Sequence, residues 1–272
     1  MAPGRHEAWT PDLLASDPHA RGDKPERVRA MFTAIAGKYD LNNRLHSFGL
    51  DQGWRKTVVA EAGITPETDA VDVACGTGDL TELLADAGAR SVLGIDYTPA
   101  MLDVARVKTN GKRRSGRAEP VYRTGDATRL ELPDASCEVL TIAFGIRNVG
   151  DPAAAIREFH RVLRPGGRML ILEFSEPRNP LFRLGNRIYT RHLMPWTATL
   201  LSGDRSGAYR YLPKSVATFQ TPEELVGIAH AAGFTDLSLR PLTFGTCTII
   251  RGVRPSTPID LASSCCTPSR NP

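Results

Sequence analysis

The sequence lacks several features that define common classes of protein. Its 272 residues contain no run of about 18 consecutive apolar residues, so we expect no transmembrane helix. The five cysteines form no Cys-x-x-Cys motif and no Cys/His cluster at metal-ligand spacing, so no metal site is expected. The first residues, MAPGRHEAWTPDLLASD, lack the apolar core of a signal peptide. The cytoplasm is therefore the expected compartment.

The charge of the chain is also nearly balanced. The 34 basic and 30 acidic residues leave a formal net charge of +4, and the 41% hydrophobic and 24% charged content is typical of a globular domain. The basic stretch at residues 109–120, TNGKRRSGRAEP, is better interpreted as a solvated connection than as a nucleic-acid patch. We expect no nucleic-acid partner.

A glycine turn between two apolar stretches is the most informative motif. Residues 71–96, VDVACGTGDLTELLADAGARSVLGID, combine an apolar stretch, the turn Gly76-Thr77-Gly78, an amphipathic stretch and a second apolar stretch that ends in Asp96. This order predicts a strand–turn–helix–strand unit that binds a nucleoside at the C-terminal edge of a parallel sheet. The alternative is an ordinary unit of the same kind without a ligand.

Details of this unit favour S-adenosylmethionine over a dinucleotide. A dinucleotide-binding turn has a third glycine three residues after the second, where the helix approaches a pyrophosphate, and Thr81 stands there instead. Asp72, at the end of the first strand, is awkward beside a pyrophosphate but suits the α-ammonium group of a methionine. Asp96 is placed to accept hydrogen bonds from both ribose hydroxyls.

Alternating strand and helix patterns predict an α/β fold. Helices are expected over residues 25–36, 50–62, 79–87, 98 or 99 to 108, 152–163 and 223–232, and strands over 70–74, 91–96, 120–123, 137–144, 168–174, 236–242 and 246–253. This pattern predicts a Rossmann-like, seven-stranded, mostly parallel sheet with helices on both faces and an antiparallel last strand. One domain is expected over 25–254, between disordered segments at 1–24 and 255–272.

Two polar groups after later strands extend the expected site. Asp126 follows Gly125, where a carboxylate on this fold accepts from the adenine amine and Ala127 offers its N–H; a plain turn is the alternative. The stretch FGIRN, residues 144–148, ends the fourth strand, which faces the transferred methyl group. The Asn/Asp-Pro-Pro-Tyr/Phe motif of enzymes that methylate exocyclic amines is absent there, which disfavours N-methylation.

Arg147 and Asn148 suit a substrate oxygen at that edge. Arginine stays protonated and donates in a fixed fork, so Arg147 would stabilise a developing phenolate. A phenolate pushes electron density onto its ortho carbon, which can then attack a sulfonium methyl group, and Asn148 would orient the same oxygen. The alternative is that Arg147 pairs with a surface acid and Asn148 caps the helix that begins near Asp151.

Five stretches carry a resemblance to a known family. The chain resembles the ubiquinone/menaquinone biosynthesis C-methyltransferases, which are class I S-adenosylmethionine-dependent methyltransferases that methylate a ring carbon of a polyprenyl quinol. The resemblance covers roughly residues 27–254. The stretches are YDLNNRLHSFGLDQGW (39–54), FGIRNV (144–149), RVLRPGG (161–167), EFS (173–175) and AYRYLPKSVATF (208–219).

The resemblance implies roles for particular residues. Tyr39 would gate the cofactor pocket, and Arg147 and Asn148 would serve the quinol. Two departures bear on substrate choice: Asn42 replaces the usual Met, and Asp51 replaces the usual His. The cofactor-binding residues expected from the motif and the resemblance together are Asp72, Gly76, Thr77, Gly78, Asp96, Tyr97, Asp126 and Ala127.

The implied reaction is C-methylation of demethylmenaquinol, of 2-polyprenyl-6-methoxy-1,4-benzoquinol, or of both. Another phenolic or lipid acceptor, or a non-catalytic S-adenosylmethionine-binding protein, remains an alternative. A helical insertion at 176–212 would hold the isoprenoid tail or form an ordinary cap, and transient contact with the inner membrane surface and a homodimer are expected. The proton acceptor stays open among His46, Asp51, His192, Asp204 and a water held by Arg147 and Asn148.

Overall fold

Seven strands form a single sheet in the computed structural model, which describes residues 8–111, 117–188 and 206–256. The strands are β1 (Asp69–Val73), β2 (Ser91–Asp96), β3 (Val121–Thr124), β4 (Cys137–Ala143), β5 (Leu163–Phe174), β6 (Thr235–Leu242) and β7 (Cys247–Val253). Their order is β3-β2-β1-β4-β5-β7-β6, and β7 runs antiparallel to both β5 and β6. The predicted Rossmann-like sheet with an antiparallel last strand is confirmed.

Helices cover both faces of this sheet. They are α1 (Lys24–Ile35), α2 (Tyr39–His46), α3 (Leu50–Ala62), α4 (Asp79–Asp86), α5 (Pro99–Asn110), α6 (Pro152–Val162), α7 (Pro180–Ile188), α8 (Ala208–Thr218) and α9 (Pro222–Ala231). Three of the helix starts have side-chain caps: Asp151 accepts from the Ala154 N–H before α6, Asn179 accepts from the Leu181 N–H before α7, and Thr221 with Glu224 forms a capping box before α9. The sequence pattern gave no bounds for α2, α7 or α8, although α7 and the start of α8 lie within the helical insertion expected over 176–212.

The central strands are buried on both faces, as expected for a parallel sheet between helix layers. Val71 and Leu140 point into one core together with Phe159 of α6, whereas Ala70 and Val139 belong to the other core. This alternation is the period of two along a strand. The strand β5 begins earlier than the expected residue 168, because Leu163 already pairs with Cys137 across an irregular register.

The segment before α1 packs on the domain from residue 8 onward, which differs from the disorder expected for residues 1–24. Trp9 is fully buried in a cluster with Met31 and Tyr211, and its backbone N–H donates to Ser206 O at 3.0 Å. One large apolar side chain anchors a stretch whose composition is otherwise that of a loop. Residues 1–7, 189–205 and 257–272, which include parts of the expected insertion and tail, lie outside the described residues.

Candidate functional site

The glycine turn after β1 requires its glycines. Gly76 and Gly78 both have positive φ, at 56° and 82°. A Cβ atom on Gly78 would also lie 2.5 Å from the hydroxyl oxygen of Tyr122. The turn therefore brings the backbone into a space that a side chain would fill, and Gly78 leads directly into α4.

Asp96, at the end of β2, binds this turn. Its Oδ2 accepts from the Gly76 N–H at 2.7 Å, and its Oδ1 accepts from the Thr98 N–H at 2.8 Å. Burial raises the pKa of Asp96, and these two backbone hydrogen bonds oppose the increase. The carboxylate thus connects β2 to the turn and still has lone pairs for a ligand.

A cavity of about 500 Å³ opens beside this contact. Its volume lies in the usual range for small-molecule sites, roughly 300–1,000 Å³. The cavity occupies the C-terminal edge of the sheet, where ligands bind in this fold class. The predicted residues that line it are Tyr39, Gly76, Asp96, Tyr97, Asp126, Ala127 and Asn148.

Asp126 both shapes its own turn and faces the cavity. Its Oδ1 accepts from the N–H and the hydroxyl of Thr128, each at 2.8 Å. Asp126 therefore forms the turn that the sequence analysis gave as the alternative. Both hydrogen bonds that the described residues make to this carboxylate end on Oδ1, so Oδ2 can accept from a ligand.

Asp72, Thr77 and Gly78 are predicted residues that do not line the cavity. Asp72 is buried and accepts from the hydroxyls of Thr81 at 2.6 Å and Thr141 at 2.7 Å. Burial raises the pKa of Asp72 to about 6, against the effect of the two threonine hydrogen bonds. The structure thus places Asp72 among side chains behind the cavity wall.

Thr77 joins the turn to α2. Its hydroxyl donates to Asp40 Oδ1 at 2.5 Å, and Lys108 Nζ of α5 donates to Asp40 Oδ2 at 2.8 Å. Lys108 also forms an ion pair with Asp79 at the start of α4. Three helices are therefore tied to the glycine turn by one polar cluster, which the sequence motif did not indicate.

A second cavity, of about 290 Å³, adjoins the first. Most of its side chains are apolar, which suits a hydrocarbon ligand. Four residues line both cavities and so form their common wall: Phe32, Tyr39, Phe144 and Asn148. The apolar residues that line the second cavity include Met31, Ile35, Trp54, Phe174, Leu212 and Val216.

Arg147 lines the second cavity and is buried. Its Nη1 donates to Phe144 O at 2.9 Å and to Glu173 Oε1 at 2.5 Å. The expected pairing with an acid is present, but Glu173 is buried on β5 rather than exposed. The buried Nε of Arg147 has no hydrogen-bond partner within residues 8–111, 117–188 and 206–256. An unpaired donor of this kind in a cavity wall suits a ligand oxygen.

Asn148 is held by two contacts and caps no helix. Its Nδ2 donates to Phe144 O at 3.3 Å, and its Oδ1 accepts from the Tyr211 hydroxyl at 3.0 Å. The N-cap of α6 is Asp151 instead. The Asn148 side chain thus does not have the helix-capping role that the sequence left open, and it lies in the common wall.

Asp51 and Arg55 add a charged pair to the second cavity. Asp51 is buried and accepts from Arg55 Nη1 at 2.8 Å, from Ser47 Oγ at 2.8 Å and from Gln52 Nε2 at 3.0 Å. Arg55 lies 5.3 Å from the centre of the Phe144 ring. Sequence reasoning missed Arg55, although its spacing of four residues from Asp51 on a helix was a usable signal.

No group of three or more metal-ligating side chains occurs in the described part of the chain. His46 and Asp51 both line the second cavity, whereas His192 and Asp204 lie outside the described residues. The geometry therefore offers two adjoining cavities with one wall between them, as a group transfer between two bound molecules requires. The carboxylates of Asp96 and Asp126 line the first cavity, and mostly apolar side chains line the second.

Comparisons with known proteins identify the family of the chain. A demethylmenaquinone methyltransferase from Deinococcus radiodurans is 45% identical over 224 residues, which cover 82% of this chain and 90% of the relative. A ubiquinone/menaquinone biosynthesis C-methyltransferase from Geobacter sp. (strain M21) is 39% identical over 87% of this chain and 100% of the relative. A solved SAM-dependent methyltransferase from Thermotoga maritima shares the fold, with a TM-score of 0.59 at 19% identity over 84% of this chain and 99% of that one.

The family model extends over nearly the whole described domain. Residues 20–254 match the ubiE/COQ5 methyltransferase family. This range includes the glycine turn, both cavities and the wall that they share. The chain belongs to the ubiE/COQ5 methyltransferase family and is an S-adenosylmethionine-dependent methyltransferase.

Proposed function

We propose that the protein transfers the methyl group of S-adenosylmethionine to a ring carbon of a polyprenyl quinol. Demethylmenaquinol is the first acceptor to test and 2-polyprenyl-6-methoxy-1,4-benzoquinol the second. The observation that carries the proposal is the common wall of a cavity that contains Asp96 and Asp126 and an apolar cavity that contains Arg147. The names of the Deinococcus and Geobacter relatives support the choice of acceptor.

The first cavity fits the methyl donor. Asp96 would accept from the ribose hydroxyls, and Asp126 Oδ2 together with the Ala127 N–H would hold the adenine edge. Gly76 and Tyr97 would line the same site, while Thr77, Gly78 and Asp72 would shape it from behind the wall. Bound there, S-adenosylmethionine supplies an electrophilic methyl group on a sulfonium.

Arg147 and Asn148 would act on the acceptor oxygen. The Arg147 guanidinium favours the ionised quinol oxygen, which enriches the ortho ring carbon in electron density. The carbon–methyl bond forms as the sulfur–methyl bond breaks, and the ring carbon then releases its proton. Tyr39 and Phe144 in the wall exclude water and align the two reactants, and orientation supplies much of the acceleration.

We propose His46 as the proton acceptor, because it lines the second cavity. Burial lowers the pKa of His46, which keeps the imidazole neutral near pH 7 and able to take a proton from the quinol. Asp51 lies in the same cavity, but three donors already occupy its carboxylate.

We propose that the mouth of the second cavity meets the cytoplasmic membrane surface transiently. Phe48 and Leu50 line this cavity and are exposed, Phe48 by 78%. Phe182 and Phe244 are also exposed and stack with ring centroids 4.2 Å apart, and Arg183 lies on the same helix as Phe182. No helix in the described ranges has the length and apolar character to span a bilayer. The homodimer stays a prediction.

An anaerobic assay tests the reaction. Purified protein is incubated with S-adenosylmethionine and each reduced acceptor, and mass spectrometry locates the new methyl group. We expect a single methyl group on the ring carbon of one acceptor and none with Asp96→Ala. Methylation of oxygen would contradict the mechanism. Methylation of neither acceptor, with the donor still bound, would point to another phenolic or lipid acceptor.

A vesicle assay tests the membrane contact. The double variant Phe48→Ser/Phe244→Ser should sediment less with vesicles that contain anionic lipid, because it loses two exposed aromatic side chains. Val107→Ser is the matched control, since Val107 is equally exposed on α5 and lines neither cavity. Equal sedimentation of all three proteins would refute the assignment of this surface.

A further inference from the structure

We infer that Tyr211 is a positioning residue for methyl transfer, that its hydroxyl fixes the amide of Asn148, and that Trp9 of the N-terminal segment holds Tyr211 in place. The inference rests on the proposed function, because it assigns Asn148 to the acceptor oxygen. It extends the active site to two segments that contain no residue of the cofactor motif, the start of the described chain and helix α8.

The orientation of the Asn148 amide follows from its partners. Phe144 O is a carbonyl and can only accept, so the Asn148 atom at 3.3 Å from it is the nitrogen. The amide oxygen then faces the Tyr211 hydroxyl at 3.0 Å, and that hydroxyl must donate. Nδ2 keeps a second N–H in a side chain that lines both cavities. This N–H is a donor for a quinolate oxygen.

The Tyr211 hydroxyl stays protonated and therefore remains a hydrogen-bond donor. Tyr211 is buried, and burial raises its pKa to about 12, so the phenol remains protonated at any pH at which the protein works. Without this hydrogen bond the amide could rotate and present its oxygen to the acceptor oxygen. An amide oxygen beside a quinolate would repel it, whereas the N–H stabilises it.

Trp9 fixes the ring that carries this hydroxyl. The Trp9 and Tyr211 rings stack with centroids 4.5 Å apart and planes inclined by 20°. The backbones of the two segments are also in close contact. Trp9 N donates to Ser206 O, and a Cβ on Gly207 would lie 2.0 Å from Trp9 O. The N-terminal segment therefore packs against the N-terminus of α8.

A second contact reaches the same loop from α1. Lys24 is almost fully buried, and its Nζ donates to Val149 O at 2.6 Å, one residue after Asn148. The loop that carries Arg147 and Asn148 is thus supported on one side by Tyr211 with Trp9 and on another by Lys24. Neither support touches the cofactor motif.

Tyr211→Phe tests the inference, because it removes the hydroxyl and keeps the ring stacked on Trp9. We expect kcat with reduced demethylmenaquinol to fall about tenfold, while KM for S-adenosylmethionine stays within about twofold. In protein isotope-labelled on asparagine, the NMR signals of the Asn148 side-chain amide, assigned by their loss in Asn148→Asp, should shift and broaden. Thr68→Val is the control, since it removes another buried hydroxyl, which contacts Thr65 and lines neither cavity.

The contribution of Trp9 is tested by a double-mutant cycle. Trp9→Ala should lower kcat in the same way, and Trp9→Ala/Tyr211→Phe should lose less than the product of the two single effects, because both act through one amide. A Tyr211→Phe kcat within about twofold of wild type, or unchanged Asn148 amide signals, would overturn the inference. A wild-type protein inactive on both quinols would refute the proposed function, and the amide signals would still decide the role of Tyr211.

Discussion

Replacement of Arg147 is expected to damage the protein in two separable ways. The side chains of Arg147 and Glu173 are both buried, and Nη1 lies 2.5 Å from Oε1. Arg147→Gln would leave the Glu173 carboxylate buried without its counter-charge. Breaking a buried pair in this way costs about 3–5 kcal/mol. That is a large part of a typical unfolding free energy of about 5–15 kcal/mol.

The second effect is on catalysis and does not depend on stability. If the guanidinium stabilises the quinolate oxygen, its loss should lower kcat about 10²–10³-fold, as removal of one charge-stabilising donor does in other enzymes. The double variant Arg147→Gln/Glu173→Gln separates the two effects, because it leaves no buried charge. We expect it to recover most of the unfolding free energy and none of the activity.

Three measurements on each protein decide the matter. Urea unfolding gives the free energy of unfolding, calorimetry gives the Kd for S-adenosylmethionine, and the anaerobic assay gives kcat. Glu173→Gln alone is the control that changes the pair but keeps the guanidinium. Recovery of activity together with stability in the double variant would show that Arg147 acts only through the fold. An equal loss of donor binding and turnover would also refute the role assigned to it.

Three further predictions follow from single side chains. The raised pKa of Asp72, from 3.8 to about 6, costs about 3 kcal/mol of stability as pH rises from about 4 through 6. In Asp72→Asn this loss disappears, so the difference in unfolding free energy between variant and wild type should change by about 1 kcal/mol between pH 5 and pH 8 in favour of the variant. A constant difference would contradict the buried position. Asp96→Ala should weaken S-adenosylmethionine binding about 100-fold by calorimetry, since two hydrogen bonds to a charged acceptor are lost; retained turnover would rule out its ribose role. His46→Gln should abolish the fall in kcat on the acid side of its lowered pKa, and an unchanged pH profile would exclude His46 as the base.

Half of the site could be predicted from the sequence because the information there is local. The turn at Gly76 and Gly78 and the acid at Asp96 lie within one strand–turn–helix–strand unit, and the geometry of that unit follows from its length and order. The same regularity predicted the order of strands and helices. Among the elements whose bounds were predicted, only the ends differ, as at Leu163, where pairing across an irregular register starts β5 early.

On the acceptor side the sequence predicted Arg147 and Asn148 but not their partners, because these contacts join residues that are far apart in the chain. Tyr211 stacks on Trp9, which lies about 200 residues earlier in the sequence. The helix α8 contains Pro213, and a proline in a helix interior makes a sequence pattern unlike that of a helix. The partner of Arg147 is Glu173, at the end of the neighbouring strand, where sequence alone gave no reason to choose a buried acid over an exposed one. For Asp72 the position beside the turn followed from the sequence, but the two threonine hydroxyls that bind its carboxylate did not.

The position of Tyr39 next to Asp40 has a consequence for kinetic order. Tyr39 belongs to the wall between the cavities, whereas Asp40 is bound to Thr77 of the glycine turn and to Lys108. One peptide unit therefore links events at the donor turn to the shape of the acceptor cavity. Binding of S-adenosylmethionine that orders the glycine turn would also order the common wall, so the quinol should bind second. In steady-state product inhibition, S-adenosylhomocysteine should compete with the donor and not with the quinol.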